Sequence, residues 1–310
     1  MTMRALPWRE AWDRALYAED GFFRTSRPAE HFRTNAHVGS FATAIAELAL
    51  RNEAQTIIDL GAGGGELLTA LRSLVGDQMR LIGVELGARP ESLPESIGWQ
   101  SALPEQIDGL LVANEWLDNV PCDIVEMADD GRVRQVLVDP STGVETLGDE
   151  LDSDWLRTWW PLTEPGERAE IGLTRDAAWA DVVARVNGTA VAIDYGHRRA
   201  DRPPFGTLRS YAGGREVDVV PDGSRDVTAH VAVDSVAQAA GATAVRQRDA
   251  LTRLGLQTTR PPLDLAHTDP AIYLQRLAAA GEAGELVAGG GLGDFWWLVT
   301  GSLEHGTLTP

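Results

Sequence analysis

Residues 56–66 restrict the possible folds of this chain more than any other segment. They read Thr-Ile-Ile-Asp-Leu-Gly-Ala-Gly-Gly-Gly-Glu, and an apolar stretch with helical spacing starts at Leu67. A β-branched strand therefore ends near an acid and turns through glycines into a helix. Glycine lets the backbone pass close to a ligand where any side chain would block it. The segment predicts a Rossmann-like α/β sheet that opens a nucleotide site at this loop.

The spacing of the glycines bears on which nucleotide binds. A dinucleotide fingerprint needs a third glycine three positions after the second, and that position is Glu66. Asp59 precedes the loop and gives the order acid-x-Gly-x-Gly-x-Gly, the pattern of class I methyltransferases that bind S-adenosylmethionine (SAM). Asp59, Gly61, Gly63 and Gly65 are thus candidate cofactor-binding residues. From the loop alone, a dinucleotide site and a structural glycine turn remain open alternatives.

Glu85 is a further candidate cofactor-binding residue, because it ends the second predicted strand, residues 80–85. A carboxylate at this place can accept hydrogen bonds from both ribose hydroxyls of a nucleoside. Its position suits SAM and NAD equally, so it supports a nucleotide without choosing between them. The simpler alternatives are a solvated acid at Glu85 and a loop-stabilising acid at Asp59 that touches no ligand.

Strands alternate with helices along the chain, which predicts a mostly parallel sheet with ligands at the carboxyl ends of its strands. The strands are expected near residues 56–58, 80–85, 97–100, 109–113, 189–194, 243–247 and 295–300. We predict the α/β fold of a class I methyltransferase, Rossmann-like, with a mostly parallel seven-stranded sheet, a helical N-terminal extension and insertions.

The extension is expected to cover residues 1–55, including a loop that lines the cleft, and the SAM-binding domain residues 56–310. Insertions are expected at about 122–175 and 197–235. The first should contain a hairpin around Asp129, Asp130 and Gly131. Its Trp-rich part, residues 141–170, is expected to cap the cleft.

Two helix boundaries can also be predicted. The helix that contains Trp179 is expected to close at Asn187 and Gly188. Asp269 and Pro270 are expected to begin another helix.

Net charge and cysteine content limit the possible partners. The chain of 310 residues carries a formal charge of −19, so phosphate backbones are repelled and nucleic acid is not an expected partner. A basic protein segment or a small molecule is compatible with this charge, although acidity also simply favours solubility. The single Cys122 excludes an internal disulfide and a thiolate zinc site. With no signal peptide and no apolar span in view, we expect a cytoplasmic protein that does not enter membranes.

Residues 112–121 are the main candidate for chemistry, since polar side chains follow directly on a buried strand. The candidate catalytic residues are Asn114, Glu115 and Asp118. The alternative is a helix N-terminus with Asn114 as its cap and acids in the first turn. His37 and His230 are candidate bases, but an isolated histidine is more often structural. The six histidines show no metal-binding spacing, so no metal is expected.

Taken in order, these segments resemble the MidA family of SAM-dependent methyltransferases, over most of the chain. The motifs that carry the resemblance lie at residues 59–65, 113–121, 193–196, 206–211 and 226–231. Residues 31–34 look like the family's loop that lines the cofactor cleft, which adds Thr34 as a cofactor-binding candidate. The family includes a mitochondrial complex I assembly factor that methylates an arginine on a partner subunit.

The resemblance implies a SAM-dependent methyltransferase that acts on a protein side chain, with arginine favoured. Glu115 would orient the acceptor, with Asp118 second and Asn114 positioning. The family usually has Pro-Glu soon after the threonine, where this chain has Asn35, Ala36 and His37. This departure favours a rival, a SAM-binding assembly factor with little or no catalysis. A small-molecule methyltransferase is the third hypothesis, an NAD-dependent enzyme the least favoured, and the sequence gives no oligomeric state.

Overall fold

A computed structural model describes residues 5–25, 35 and 39–301 of the chain. Its strands in chain order are β1 (Leu6–Pro7), β2 (Thr56–Leu60), β3 (Arg80–Val84), β4 (Gly98–Gln100), β5 (Ile107–Asn114), β6 (Asp123–Met127), β7 (Val133–Val138), β8 (Glu145–Glu150), β9 (Arg168–Ile171), β10 (Val186–Asp194), β11 (Gly196–His197), β12 (Arg209–Ala212), β13 (Arg215–Val217), β14 (Asp226–Thr228), β15 (Val231–Ala232), β16 (Thr243–Arg246) and β17 (Trp296–Thr300). The α-helices are α1 (Trp8–Tyr17), α2 (Phe22–Thr25), α3 (Gly39–Arg51), α4 (Glu66–Val75), α5 (Asp154–Trp159), α6 (Leu173–Ala184), α7 (Val233–Ala240), α8 (Gln247–Arg253), α9 (Leu263–Thr268) and α10 (Pro270–Val287).

The main sheet confirms the predicted α/β architecture and is mixed. Within the described ranges it has seven strands in the order β16-β17-β10-β5-β2-β3-β4. The pairs β10–β5, β5–β2, β2–β3 and β3–β4 are parallel. The last strand, β17, runs antiparallel to both of its neighbours, β10 and β16.

Helices cover both faces of this sheet. Because side chains alternate across a strand, Ile57 of β2 packs on one face and Ile58 on the other. Ile57 belongs to a core with α3, α4, α8 and α10, whereas Ile58 belongs to a core with α6 and α7. A sheet covered in this way leaves only its strand ends for polar groups and ligands.

A second sheet contains the predicted hairpin. Strands β6 and β7 pair antiparallel on either side of the expected turn, and the order is β1-β7-β6-β9 with β8 added on β7. Helix α1 packs on this sheet through the buried rings of Trp8 and Trp12. The N-terminal segment is therefore held by residues of the first predicted insertion.

The prediction that the helix containing Trp179 ends at Asn187 and Gly188 is wrong. Helix α6 ends at Ala184, and both residues belong to β10, where Gly188 pairs with Gly109 of β5. A Cβ on Gly188 would come within 2.2 Å of the Gly109 carbonyl oxygen, so the glycine serves close strand approach. The helix start at Asp269 is confirmed, because its side chain accepts a hydrogen bond from the Ile272 N–H at the N-terminus of α10.

Four neighbouring parallel strands end at one edge of the main sheet. These ends are Leu60 of β2, Val84 of β3, Asn114 of β5 and Asp194 of β10. The loops that follow them enclose a large cavity. Among the same residues no helix is long and apolar enough to cross a membrane.

Candidate active site

The cavity has a volume of about 750 Å³ and lies beyond the carboxyl ends of the parallel strands. One part is bordered by the glycine loop and by Glu85, Leu86 and Leu103, and the other by the segment after β5. This is where ligands bind in open α/β sheets. Seven of the candidates from sequence line it: Asp59, Gly61, Gly63, Glu85, Asn114, Glu115 and Asp118.

The glycine loop follows β2 directly and needs its glycines for backbone reasons. Gly61 has φ +73° and Gly63 has φ +54°, in the left-handed region that favours glycine. A Cβ on Gly61 would also come within 2.9 Å of Cδ1 in the Trp116 ring, which lines the cavity. The loop therefore passes close under Trp116, and no larger residue fits at position 61.

Gly65 belongs to the same loop but does not line the cavity, so the predicted cofactor contact at this residue finds no support in the structure. It caps helix α4 with φ +77°, and a Cβ there would come within 2.6 Å of Leu93 Cδ1. Its glycine serves the start of the helix. Thr34, the other predicted cofactor contact, and His37 lie outside the described residues.

Glu85 faces the glycine loop from the end of the neighbouring strand. Its Oε2 accepts a hydrogen bond of 3.0 Å from the Gly63 N–H, and its Oε1 accepts one of 3.1 Å from the Gly87 N–H. Each carboxylate oxygen keeps a second lone pair for a ligand hydroxyl. Glu85 thus lies where the sequence predicted a ribose-binding acid, and it also holds the loop.

Asp59 is buried near the end of β2, beneath the loop. Burial raises its pKa to about 7, and the neighbouring carboxyls of Glu85 and Glu66 add to this shift. At neutral pH this acid is therefore close to half protonated. A cationic group in the cavity would favour its ionised form.

Glu115 follows β5 and sits at a strained backbone position. Its φ is +51°, uncommon for a residue with a side chain, and its N–H donates to the Ile193 carbonyl at 2.8 Å. The predicted alternative of an α-helix capped by Asn114 is wrong. Asn114 is the last residue of β5, and only a 3₁₀ turn, Leu117–Asn119, follows. The strained turn directs Glu115 to the cavity instead.

The carboxylate of Glu115 is held on one side. Its Oε1 accepts hydrogen bonds from the Asn35 N–H at 3.0 Å and from Nδ2 of Asn114 at 3.1 Å. Burial raises its pKa to about 7, with a contribution from Asp118, while the two hydrogen bonds oppose the rise. A carboxyl with a pKa near neutrality can both accept and release a proton at physiological pH.

Asp118 lies in the 3₁₀ turn and belongs to a buried network. Its Oδ2 accepts a hydrogen bond of 2.6 Å from Thr228 and one from the Tyr195 hydroxyl. Its backbone N–H donates to Asp194 at 3.1 Å. Burial raises the pKa of Asp118, although the two hydroxyls and the Arg175 guanidinium lower it. Oδ1 of Asp118 accepts no hydrogen bond within the described ranges.

Arg175 is the buried cation next to these acids, yet it does not form an ion pair with them. Its guanidinium donates to backbone carbonyls of Asp118, Val120, Ala229 and His230 at 2.6–3.0 Å. Arg175 thereby ties the turn after β5 to the segment after β14. Among the described residues, no side-chain cation forms an ion pair with these carboxylates, although the Arg175 guanidinium lowers the pKa of Asp118.

The half of the cavity that borders the segment after β5 is acidic and aromatic. Glu115, Asp118 and Asp226 line it, and the tyrosines at its wall are Tyr17, Tyr195 and Tyr211. Among the described residues that line the cavity, the one side chain from Lys, Arg or His is Arg185, which pairs with Asp181 at 2.7 Å. Carboxylates that lie close together disfavour one another's charge and favour a cationic ligand.

Sequence reasoning did not identify several of these residues. Tyr195 and Asp226 lie in motifs that carried the family resemblance, but neither was given a role. Asn35 appeared only as part of a departure from the family pattern, and Arg175 has no local signal because it sits in an ordinary helix. Only the order of distant motifs could have indicated that Tyr195, Thr228 and Asp118 meet.

One further expectation differs from the structure, whereas His230 has the structural role that is usual for an isolated histidine. Residues 141–170 do not line the cavity. They form β8, α5 and most of β9. The two strands pair at the edges of the second sheet, and α5 packs against β9 in a separate core. His230 lies outside the cavity lining, and burial lowers its pKa to about 4, so it is a neutral side chain packed on Tyr195. No group of three His, Cys, Asp or Glu side chains suited to a metal occurs in the described part of the chain.

Comparisons with known proteins agree with this geometry. Residues 40–250, more than half of the chain, match a family model described as "Putative S-adenosyl-L-methionine-dependent methyltransferase". No curated protein matches the chain.

Two crystal structures from Burkholderia thailandensis share the fold. One, described as a "likely methyl transferase" bound to S-adenosyl-homocysteine, is 23% identical with a TM-score of 0.77, over 99% of this chain and 89% of that chain. The other, of an uncharacterized protein of the same superfamily, is 25% identical with a TM-score of 0.76, over 98% of this chain and 89% of that chain.

Proposed function

Since the chain belongs to this family of SAM-dependent methyltransferases, we propose that it methylates a protein side chain, with arginine as the favoured acceptor. The observation that carries this proposal is the acidic, aromatic half of the cavity, lined by Glu115, Asp118 and Asp226. A cationic side chain offers these carboxylates the counter-charge that the described lining residues do not provide. The finer assignment to the MidA family is part of the proposal and is supported by the order of the five motifs.

The other half of the cavity fits the cofactor. Gly61 lies so close to Trp116 that the loop has no side chain at this position. The Glu85 carboxylate, at the strand end, keeps lone pairs that a ligand can use. Leu86 and Leu103 add apolar wall for a base. In the proposal Glu85 holds the ribose hydroxyls. The relative bound to S-adenosyl-homocysteine, the product that SAM leaves after transfer, supports this use of the fold.

SAM supplies the methyl group on a sulfonium, and the protein's task is to present a nitrogen to it. A guanidinium is a poor nucleophile because its positive charge is delocalised over the nitrogens. A carboxylate hydrogen-bonded to it draws that charge away from the attacking nitrogen and fixes its direction. Glu115 suits this role because no donor from the described residues reaches its Oε2.

Glu115 also accounts for the proton that is left over. When an arginine nitrogen gains a methyl group it loses one proton, so that the product guanidinium again carries a single positive charge. An ionised carboxyl with a pKa near 7 can take that proton and return it to solvent. Asp118 has its Oδ2 committed to Thr228 and Tyr195 and contributes charge as a second carboxylate.

The proposal is tested by following a labelled methyl group. The purified protein is incubated with isotopically labelled SAM and a cell lysate, and label is separated into protein and small-molecule fractions. We expect label in protein, recovered as methylarginine after hydrolysis. Label confined to small molecules would establish the small-molecule alternative. SAM binding without labelled product would favour the assembly factor, which the replacement of the family's Pro-Glu by Ala36 and His37 supports.

A further inference from the structure

A continuous row of hydrogen bonds, the first two buried and the last two partly buried, leads from the last strand of the sheet to Glu115. It starts at the indole of Trp297 in β17, passes through Gln247 at the start of α8 and then Asn35, and ends at Asn114 and Glu115. The successive distances are 3.0, 3.0, 3.1 and 3.1 Å. We call these five side chains the amide relay. Trp297, Gln247 and Asn35 are each 0% exposed.

The relay has only one consistent direction. The indole N–H of Trp297 can donate but not accept, so the side-chain oxygen of Gln247 must face it. The Gln247 amide nitrogen then donates to Asn35 Oδ1, and Asn35 Nδ2 donates to Asn114 Oδ1.

At the other end Asn114 Nδ2 donates to Glu115, whose ionised carboxylate can only accept. Both ends thus impose the same orientation on the three amides between them. The amide orientations follow from chemistry and do not depend on telling oxygen from nitrogen.

The relay acts on one oxygen of the carboxylate. Oε1 of Glu115 receives the Asn114 amide and also the backbone N–H of Asn35. Hydrogen bonds in series polarise one another, which strengthens the last bond to the charged acceptor. Oε2 accepts no hydrogen bond from the described residues, and Glu115 lines the cavity in which an acceptor nitrogen would arrive.

We infer that Gln247 and Asn35 are positioning residues for Glu115, which orient its carboxylate and keep it ionised for the acceptor nitrogen. This inference rests on the proposed function. Neither residue lines the cavity, so both act through Asn114 and Glu115. Asn35 also explains why a departure from the family pattern can be functional, because the altered residue supplies two of the relay's contacts with the site.

The charges around Glu115 show why its carboxylate needs hydrogen-bond donors to stay ionised. The carboxyls that face it come from three elements: Asp118 in the 3₁₀ turn, Asp194 at the end of β10 and Asp226 in β14. Asp118 raises the pKa of Glu115, and Glu115 in turn raises the pKa of Asp194 and of Asp226. Arg175 offsets part of the charge of Asp118 and Asp194. The donors of the relay act in the opposite sense on Glu115 itself.

The relay can be tested without any methyl transfer. The variant Gln247→Met keeps the length of the side chain but removes both polar atoms. The carboxyl of Glu115 is titrated by ¹³C NMR in the free protein, with its signal assigned through Glu115→Gln. Without Gln247, the amides of Asn35 and Asn114 lose the partner that polarises and orients them, and a weaker donor to a carboxylate raises its pKa. The midpoint should therefore move from about 7 toward roughly one pH unit higher. In activity, kcat at pH 7 should fall about five-fold and recover by pH 9, with KM for SAM unchanged.

Two more variants make the result decisive. Trp297→Phe removes the first donor of the relay and should shift the midpoint in the same direction, by less. Asn52→Leu is the matched control, since Asn52 bonds to Leu48 and Thr189 away from the carboxyl ends of the strands. It should leave the titration unchanged. An unchanged Glu115 midpoint in the folded Gln247→Met or Trp297→Phe protein would overturn the relay, whatever the activity. A shifted midpoint in a protein that transfers no methyl group would keep the relay and overturn the proposed function.

Discussion

The backbone N–H of Asn35 donates a hydrogen bond of 3.0 Å to Oε1 of Glu115, although the two residues are 80 positions apart in the chain. The N-terminal segment therefore takes part in the site that the strand ends of the main sheet build. This contact joins the carboxyl of the proposed mechanism to a residue of the amide relay. Glu115 is the carboxyl proposed to act on the acceptor, and Asn35 is inferred to set its direction.

Replacement of the proposed acceptor-binding carboxylate separates chemistry from cofactor binding. We expect Glu115→Gln to bind SAM with unchanged affinity in calorimetry and to lose kcat by about a hundred-fold or more, because an amide cannot take the proton. The matched control is Glu105→Gln, at an exposed acid. Unchanged turnover in Glu115→Gln would remove this residue from the mechanism.

Asp118 should behave differently from Glu115, because its Oδ2 is already occupied by Thr228 and Tyr195. Asp118→Asn keeps the shape of the side chain but removes a carboxyl group from the acidic, aromatic half of the cavity. We predict a rise in KM for a cationic acceptor of about ten-fold, with a smaller change in kcat. Steady-state kinetics with a methylated-product readout measures both constants. A loss confined to kcat would instead assign Asp118 a part in the chemical step.

The cofactor half of the cavity depends on Glu85. Glu85→Ala removes the acceptor of the Gly63 and Gly87 N–H groups as well as the proposed ribose contact. We expect the affinity for SAM to fall by at least about ten-fold, since two charge-assisted hydrogen bonds are lost. Calorimetry with SAM measures this, and Glu95→Ala at an exposed acid is the control. Equal affinities for the two variants would contradict the ribose role.

A substitution at Gly61 tests the close approach of the loop to Trp116. Gly61→Ala adds a Cβ at φ +73° within 2.9 Å of the indole, so SAM affinity and thermal stability should both fall. Gly76→Ala has the same kind of backbone cost, at φ +54°, but nothing lies within 4 Å of its Cβ. It should lose about 1–3 kcal/mol of stability and keep its SAM affinity. Matching SAM affinities in the two variants would argue against crowding at the loop.

The buried acid beneath the loop makes stability depend on pH. The pKa of Asp59 is about 7 in the folded protein and 3.8 in an unfolded chain, so the folded state holds a proton that the unfolded state releases. Stability therefore decreases as pH rises from about 4 to 7 and levels off above that range.

Calorimetric thermal midpoints at pH 5 and pH 8 test this dependence. Asp59→Asn should show a smaller decrease than the wild type, by several degrees. Glu91→Gln removes one charge from an exposed acid and should keep the wild-type slope. Identical slopes for Asp59→Asn and the wild type would show that Asp59 does not titrate in this range.

The sequence predicted the features that local chemistry controls. The glycine loop, the acid at Glu85 and the polar residues after β5 follow from strand-end position and alternation, and the structure places them at one cavity. Distant contacts had no such signal: nothing in the neighbourhood of Gln247 indicates that it bonds to Asn35. Asn187 and Gly188 misled because they favour helix ends in general, whereas here Gly188 serves close contact with Gly109 in a parallel pair.

The predicted cap over the cleft was wrong for a similar reason. The tryptophans of residues 141–170 are apolar enough to cover a site, but Trp155 and Trp160 are buried in the core of their own segment. Tyr17 and Tyr211 line the cavity instead. Burial of these tryptophans is compatible with a cap over the cleft and with a separate core. Their packing against the second sheet decides for the separate core.

The most direct test of the account is the analysis of methylated amino acids in protein treated with this enzyme. Lysate protein is incubated with labelled SAM and either the wild type or Glu115→Gln, hydrolysed, and analysed by mass spectrometry. We predict labelled methylarginine with the wild type and none above background with Glu115→Gln, although both bind SAM equally. Labelled methyl groups in another amino acid or only in metabolites, or equal labelling by the two proteins, would contradict the account.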